Sequence, residues 1–127
     1  METRLCIDTD VIIDYLRGRD RLYEKLLLGV PFPCISAITH FELWCGAENG
    51  DETRRVEDVV APLDIVPFGE REAKEAAMIY RHLKARGRMI GVKDILIAGT
   101  ALANDLPLAT RNVREFERVP NLRLFKD

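Results

Sequence analysis

Residues 5–13 read Leu5-Cys6-Ile7-Asp8-Thr9-Asp10-Val11-Ile12-Ile13. An apolar run that suits a buried strand ends in two carboxylates two positions apart, and a second apolar run follows at once. The spacing changes across Asp8. Arg4 to Ile7 reads as a short strand, whereas Val11 to Leu16 has helical spacing and Arg17-Gly18 as its stop. A strand that passes almost directly into a helix is the repeating unit of an α/β domain, and Asp8 then stands at the strand's carboxyl end.

The same alternation continues outward. Asp20 can cap a helix over Arg21–Leu28 that Gly29 ends, and Pro31 and Pro33 break the chain before a short buried strand at Cys34-Ile35. Ser36 suits the N-cap of a helix from Ala37 to about Glu48. Asn49-Gly50 is a break, Asp51 caps a helix to about Val60, and Leu63–Val66 alternates as a strand. Glu70–Ala85 carries the strongest helical signal, with Ala73, Ala76, Ala77, Tyr80 and Leu83 as its apolar stripe. Gly87 and Gly91 bracket a loop before an apolar helix, Lys93–Ala103. Leu106–Ala109 reads as a strand, Arg111–Arg118 as a turn or short helix, and Leu122–Phe125 as a last strand. Short apolar strands alternating with longer helices predict a mainly parallel sheet. Two helices between successive strands are more than a crossover needs, so the Ala37–Val60 pair or the Glu70–Ala85 helix is expected at the sheet edge or projecting from it.

The 127 residues suit one domain, 1–127, and 47% hydrophobic content supplies a core without staples. A net charge of −2 argues against coating nucleic acid by charge alone, although Arg outnumbers Lys 14 to 5 and Arg is the better phosphate ligand. Cys6, Cys34 and Cys45 form no C-x-x-C pair and sit in apolar runs. They read as buried free thiols of a reducing cytoplasm. The amino end has no signal-peptide pattern, and no apolar run approaches the ~18 residues of a membrane span.

Ligands of an open parallel sheet bind beyond the carboxyl ends of its strands. Asp8 lies there. Glu42 lies six residues beyond Ser36, about 9 Å along the helix leaving the second strand. Asp94 is near the amino end of the helix before the fourth strand, and Asn112 is just past that strand. These four can converge on one rim. Three carboxylates and an amide oxygen crowded together repel unless a cation sits among them, and oxygen donors without His or Cys favour Mg²⁺ or Mn²⁺. Such a site suits metal-assisted phosphodiester hydrolysis, in which the ion activates a water. Each residue also has a plainer role. Asp8 can be a helix N-cap, Glu42 can face solvent, Asp94 can complement a helix dipole, and Asn112 can be a turn residue.

Four segments together carry a family resemblance: Asp8-Thr9-Asp10-Val11-Ile12-Ile13-Asp14-Tyr15-Leu16-Arg17-Gly18, Ile38-Thr39-His40-Phe41-Glu42-Leu43, Ile90-Gly91-Val92-Lys93-Asp94-Ile95-Leu96-Ile97-Ala98, and Leu108-Ala109-Thr110-Arg111-Asn112-Val113-Arg114-Glu115-Phe116 followed by Val119-Pro120. In this order, over essentially the whole chain, they resemble PIN domains and more narrowly the VapC-type toxin ribonucleases. The resemblance implies a PIN-like three-layer α/β/α domain with a short, mainly parallel central sheet. It also implies a Mg²⁺-dependent endoribonuclease, a homodimer, and a VapB-type antitoxin as inhibitor. By it Asp8, Glu42 and Asp94 are the metal-site acids, with Asn112 completing the catalytic set.

Two positions depart from the pattern. Asp10 stands where Asn or Ser is common, and Asn112 stands where many PIN domains carry a fourth acid. With that charge missing, one tightly held ion is expected. Thr110 can offer its hydroxyl to the metal's water shell or to a phosphate. Arg86, Arg88 and Lys93 on the loop before Asp94, and Arg111 and Arg114 flanking Asn112, are candidates for RNA phosphates. His40 and His82 read as surface or packing residues, and Trp44, Phe41 and Tyr15 as core or interface. The D-x-D opening also fits haloacid-dehalogenase-type phosphatases, with Asp8 as nucleophile, but that chemistry needs an acid pair after the fourth strand. A PIN module that binds a partner without catalysis is the remaining alternative.

Overall fold

Strand residues point alternately to opposite faces, and here both faces are apolar. In the computed structural model, which describes residues 4–126, Leu5 and Ile7 enter one hydrophobic cluster and Cys6 enters another. The elements run β1 (Arg4–Ile7), α1 (Thr9–Leu16), α2 (Leu22–Gly29), β2 (Phe32–Ser36), α3 (Ala37–Cys45), α4 (Gly50–Val60), β3 (Asp64–Val66), α5 (Glu70–Ala85), α6 (Val92–Ala103), β4 (Leu108–Ala109) and α7 (Val113–Phe116). The strands form one parallel sheet in the order β3-β2-β1-β4. Helices α1 to α4 close the Leu5/Ile7 face through Val11, Ile12, Tyr23, Leu26, Leu43 and Val56. Helices α5 and α6 with Phe116 of α7 close the other. This is the three-layer α/β/α fold expected.

Helix α5, one of the two candidates for the sheet edge or a projecting position, is instead packed in. Helix α5 has the predicted bounds, but its buried positions are Glu72, Ala76, Ile79 and Leu83, while Ala73, Ala77 and Tyr80 face outward. The neighbour decides the rotation. A Cβ on Gly99 of α6 would lie 2.7 Å from the Ala76 nitrogen, so the two backbones touch there and Ile79 and Leu83 follow on the same face. Glu72 tolerates burial because Oε1 accepts from the Gly69 amide and Oε2 from Asn104 Nδ2, both at 2.9 Å.

Other expectations shift locally. Helix α3 stops at Cys45 with Gly46 as its cap, leaving Cys45 exposed rather than buried. Asn49, not Asp51, caps α4, its side chain accepting from the Glu52 amide at 2.9 Å. Pro33 lies inside β2, opposite Leu5, because pairing with β3 begins only at Cys34 and that flank needs no Pro amide. Leu122–Phe125 is not a strand; it contributes a single parallel bridge, Leu108 to Leu124. Cys6 and Cys34 are register partners and are buried free thiols.

Candidate active site

The chain steps from β1 to β2 to β3 in one direction and then returns to place β4 on the other side of β1. Beyond the carboxyl ends of β1 and β4 the two directions part, which is where an open sheet leaves a crevice. Asp8 leaves β1 at that point, its amide donating to the Ala109 carbonyl of β4 at 2.8 Å. It is also the N-cap of α1: Oδ1 accepts from the Thr9 amide at 2.8 Å. The cap reading and the site reading are therefore compatible. Oδ2 accepts from the Thr110 hydroxyl at 2.7 Å. The residue is only 4% exposed. Burial, and then the charge of Asp10, push its carboxyl up to about 7, and the charge of Asp94 adds to this.

Asp94 sits in the first turn of α6. Burial also raises its pKa, followed by the charges of Glu42, Asp10 and Glu115. The hydrogen bond from Asn112 Nδ2 at 3.3 Å works the other way. Glu42 is held from two sides. Its Oε1 accepts from the Thr9 hydroxyl at 2.8 Å, and Lys93 Nζ stands 3.5 Å from Oε2. Thr9 Oγ1 is also 2.9 Å from Thr39 Oγ1, and Thr39 Oγ1 is 3.3 Å from Ser36 Oγ. A hydroxyl has a single proton and a carboxylate only accepts, so the chain runs Ser36 to Thr39 to Thr9 to Glu42.

Asp8, Asp94 and Glu42 thus share one electrostatic environment, with Asp10 and Glu115 beside them. Among the described residues, no three acidic, cysteine or histidine side chains stand close enough to form a closed metal cage. The donor set is oxygen only, and neighbouring acids raise the proton affinity of Asp8 and of Asp94. That suits a hard cation of Mg²⁺ type, which takes one or two carboxylates and fills its remaining positions with water and phosphate oxygens.

Comparison with known proteins gives the family. The sequence profile of the PIN domain family matches residues 5–122. The chain is a PIN domain. It is 31% identical over 126 residues to the tRNA(fMet)-specific endonuclease VapC of Salmonella typhimurium, covering 95% of this chain and 96% of that one. It is 35% identical over 123 residues to ribonuclease VapC1 of Methanocaldococcus jannaschii, covering 97% and 86%. Among solved structures, the DNA-bound VapBC complex of Salmonella typhimurium superposes with a TM-score of 0.87 at 29% identity, covering 98% of each chain.

In this PIN domain the arginines separate from the carboxylates. Arg111 forms an ion pair with Asp20, and Arg86 reaches back one turn to His82 Nδ1 at 3.0 Å. Arg88 is exposed on the loop after α5. The site also holds residues that the sequence reading did not assign to it. Thr9 orients Glu42, and Glu115 adds charge near Asp94. Thr9 adjoins Asp8, and Glu115 is one turn beyond Asn112, so proximity in sequence was the available signal. Trp44 donates to His40 Nε2 at 2.8 Å, which occupies both rings in a packing contact. A groove of about 170 Å³ opens at Glu42 between α1, α3 and α4, walled by Ile13, Leu16, Leu43 and Val56, with Arg55 bonded across it to the Leu16 carbonyl.

Proposed function

We propose that this chain is a metal-dependent endoribonuclease, the toxin of a toxin–antitoxin pair, acting in the cytoplasm as one PIN domain over residues 1–127. The observation that carries the reading is the convergence of Asp8 and Asp94 at the switch point of the sheet, each raised by burial and by neighbouring acids, with Glu42 held beside them. The relatives named ribonuclease VapC and the neighbours that are VapBC complexes support the same class.

In this reading Asp8 and Asp94, with Glu42, hold Mg²⁺, and Mn²⁺ can replace it. When bound, the ion would lower the pKa of a water and neutralise charge on the scissile phosphate. The chain's own residues do the rest. Thr110 fixes Asp8 through its hydroxyl, Thr9 fixes Glu42, and Asn112 donates to Asp94 where an acid would repel it. Arg86, Arg88 and Arg111 serve RNA phosphates, Arg111 on release from Asp20 and Arg86 on release from His82. The apolar groove at Glu42 suits a segment of a VapB-type antitoxin. A homodimer is proposed through exposed apolar side chains such as Phe41, Met78 and Val92.

The test is cleavage of a structured RNA with Mg²⁺, with EDTA, and by Asp8→Asn. The reading requires cutting only in the first case. Equal traces in all three would leave a PIN module that binds without catalysis. The phosphatase alternative finds no acid pair after β4, which runs into Thr110-Arg111-Asn112.

A further inference from the structure

Asp10 is the acid that the sequence left without a role. It lies in the first turn of α1, two residues beyond the N-cap, and is partly buried. Its oxygens accept from the backbone amide of Arg111 at 3.1 and 3.2 Å. The Thr110 hydroxyl is 3.4 Å from Asp10 but 2.7 Å from Asp8, so its proton goes to Asp8. The real partner of Asp10 is therefore an amide in the turn after β4. That turn carries Thr110, which reaches Asp8, and Asn112, which reaches Asp94. It is closed on itself by the Asn112 amide, which donates to Thr110 Oγ1 at 2.9 Å. Arg111 is further tied through its guanidinium to Asp20, in the segment joining α1 to α2.

We infer that Asp10 is a positioning residue. It clamps the turn over residues 110–112 to the start of α1, and through that turn sets Thr110 and Asn112 against Asp8 and Asp94. It acts as a hydrogen-bond acceptor of fixed geometry rather than as a further cation ligand. Without the clamp, the turn beyond β4, a strand only two residues long, would be tied to the end of β1 and to the segment after α1 by side chains alone, through Thr110 on Asp8 and Arg111 on Asp20.

The effect on catalysis rests on the nuclease reading, but the clamp itself does not, and the experiment separates the two. Asp10→Asn keeps an acceptor oxygen and loses the charge, whereas Asp10→Ala loses both. Amide hydrogen exchange at Arg111, read by NMR on the full chain, is expected to quicken about tenfold in Asp10→Ala, as for one lost hydrogen bond, and to stay near wild type in Asp10→Asn. In RNA cleavage, Asp10→Ala is expected to lower kcat with KM little changed, and Asp10→Asn to recover most of the loss. Unchanged exchange at Arg111 in Asp10→Ala would overturn the clamp. Equal loss of kcat in both variants, with exchange altered only in Asp10→Ala, would assign the role to charge and overturn the positioning claim. If the wild type cuts no RNA, the exchange arm still decides.

Discussion

The Thr110 hydroxyl donates to Asp8 Oδ2 at 2.7 Å and so joins the ends of two neighbouring strands that lie 102 positions apart in sequence. This bond favours the charged form of Asp8, against burial and the neighbouring acids that oppose it. Thr110→Val removes the donor, so the Asp8 carboxyl moves further up. The ascending limb of the pH–rate profile for RNA cleavage should then move to higher pH, with activity near pH 7 down about tenfold. Thr110→Ser should restore it. An unmoved limb would mean that the hydroxyl does not hold Asp8.

Stability should fall as pH rises in the metal-free protein. Asp8 titrates at about 7 when folded, against an ordinary 3.8. Between those values the folded chain binds more protons than the unfolded one, so its stability declines with pH, by at most about 4 kcal/mol from this group. Asp10 and Asp94 are raised too and act in the same direction. Thermal melts in EDTA should thus show a lower Tm at pH 8 than at pH 5. Asp8→Asn should flatten the trend and stabilise the chain at pH 8, and Mg²⁺ should raise the Tm at pH 8 in the wild type only. A melting temperature that climbs with pH would contradict the assignment.

Titration calorimetry with Mn²⁺ in the absence of RNA should find one tight site. Asn112 presents an amide donor to Asp94, not a fourth negative charge, so a second ion lacks a carboxylate of its own. Asn112→Asp should strengthen cation binding about tenfold or more or reveal a second site. Two tight sites in the wild type would refute this.

Gly99→Ala tests the seam between α5 and α6. The added Cβ would stand 2.7 to 2.8 Å from backbone and side-chain atoms of Ala76, which cannot swing away. Overpacking of this kind costs about 1–3 kcal/mol, visible as a lower urea midpoint. Because Gly99 is at the back of the sheet from α1, cleavage by the folded fraction should change little.

The strand and helix at Asp8, the bounds of α5 and the cap at Ser36 were legible because each is written in neighbouring residues. A spacing, a breaker or a capping side chain suffices there. Asp8, Glu42, Asp94 and Asn112 were legible as candidates because parallel α/β topology sends strand ends to one rim. The facing of α5 was not, since Gly99 of another helix sets it and alanines on either side of α5 look alike. Nor was the partner of Asp10, an amide some hundred residues away, nor the hydroxyl chain from Ser36 to Glu42. Backbone amides carry no mark in a sequence, and Thr9 and Thr39 meet only once β1 and α3 are in place. The same distance hid the pairing of Arg111 with Asp20, and so the arginines looked freer than they are.

Strand β4 is made last and docks beside β1, which is made first. A ribosome therefore releases the segment bearing Thr110 and Asn112 only after the segments that carry Asp8, Glu42 and Asp94. Until then Asp8 has neither its hydroxyl partner nor the wall beside it, and Asp94 lacks its amide. For a protein proposed to cut RNA, this order has a consequence: a chain made only as far as α6 carries its acids without the segment that orients them.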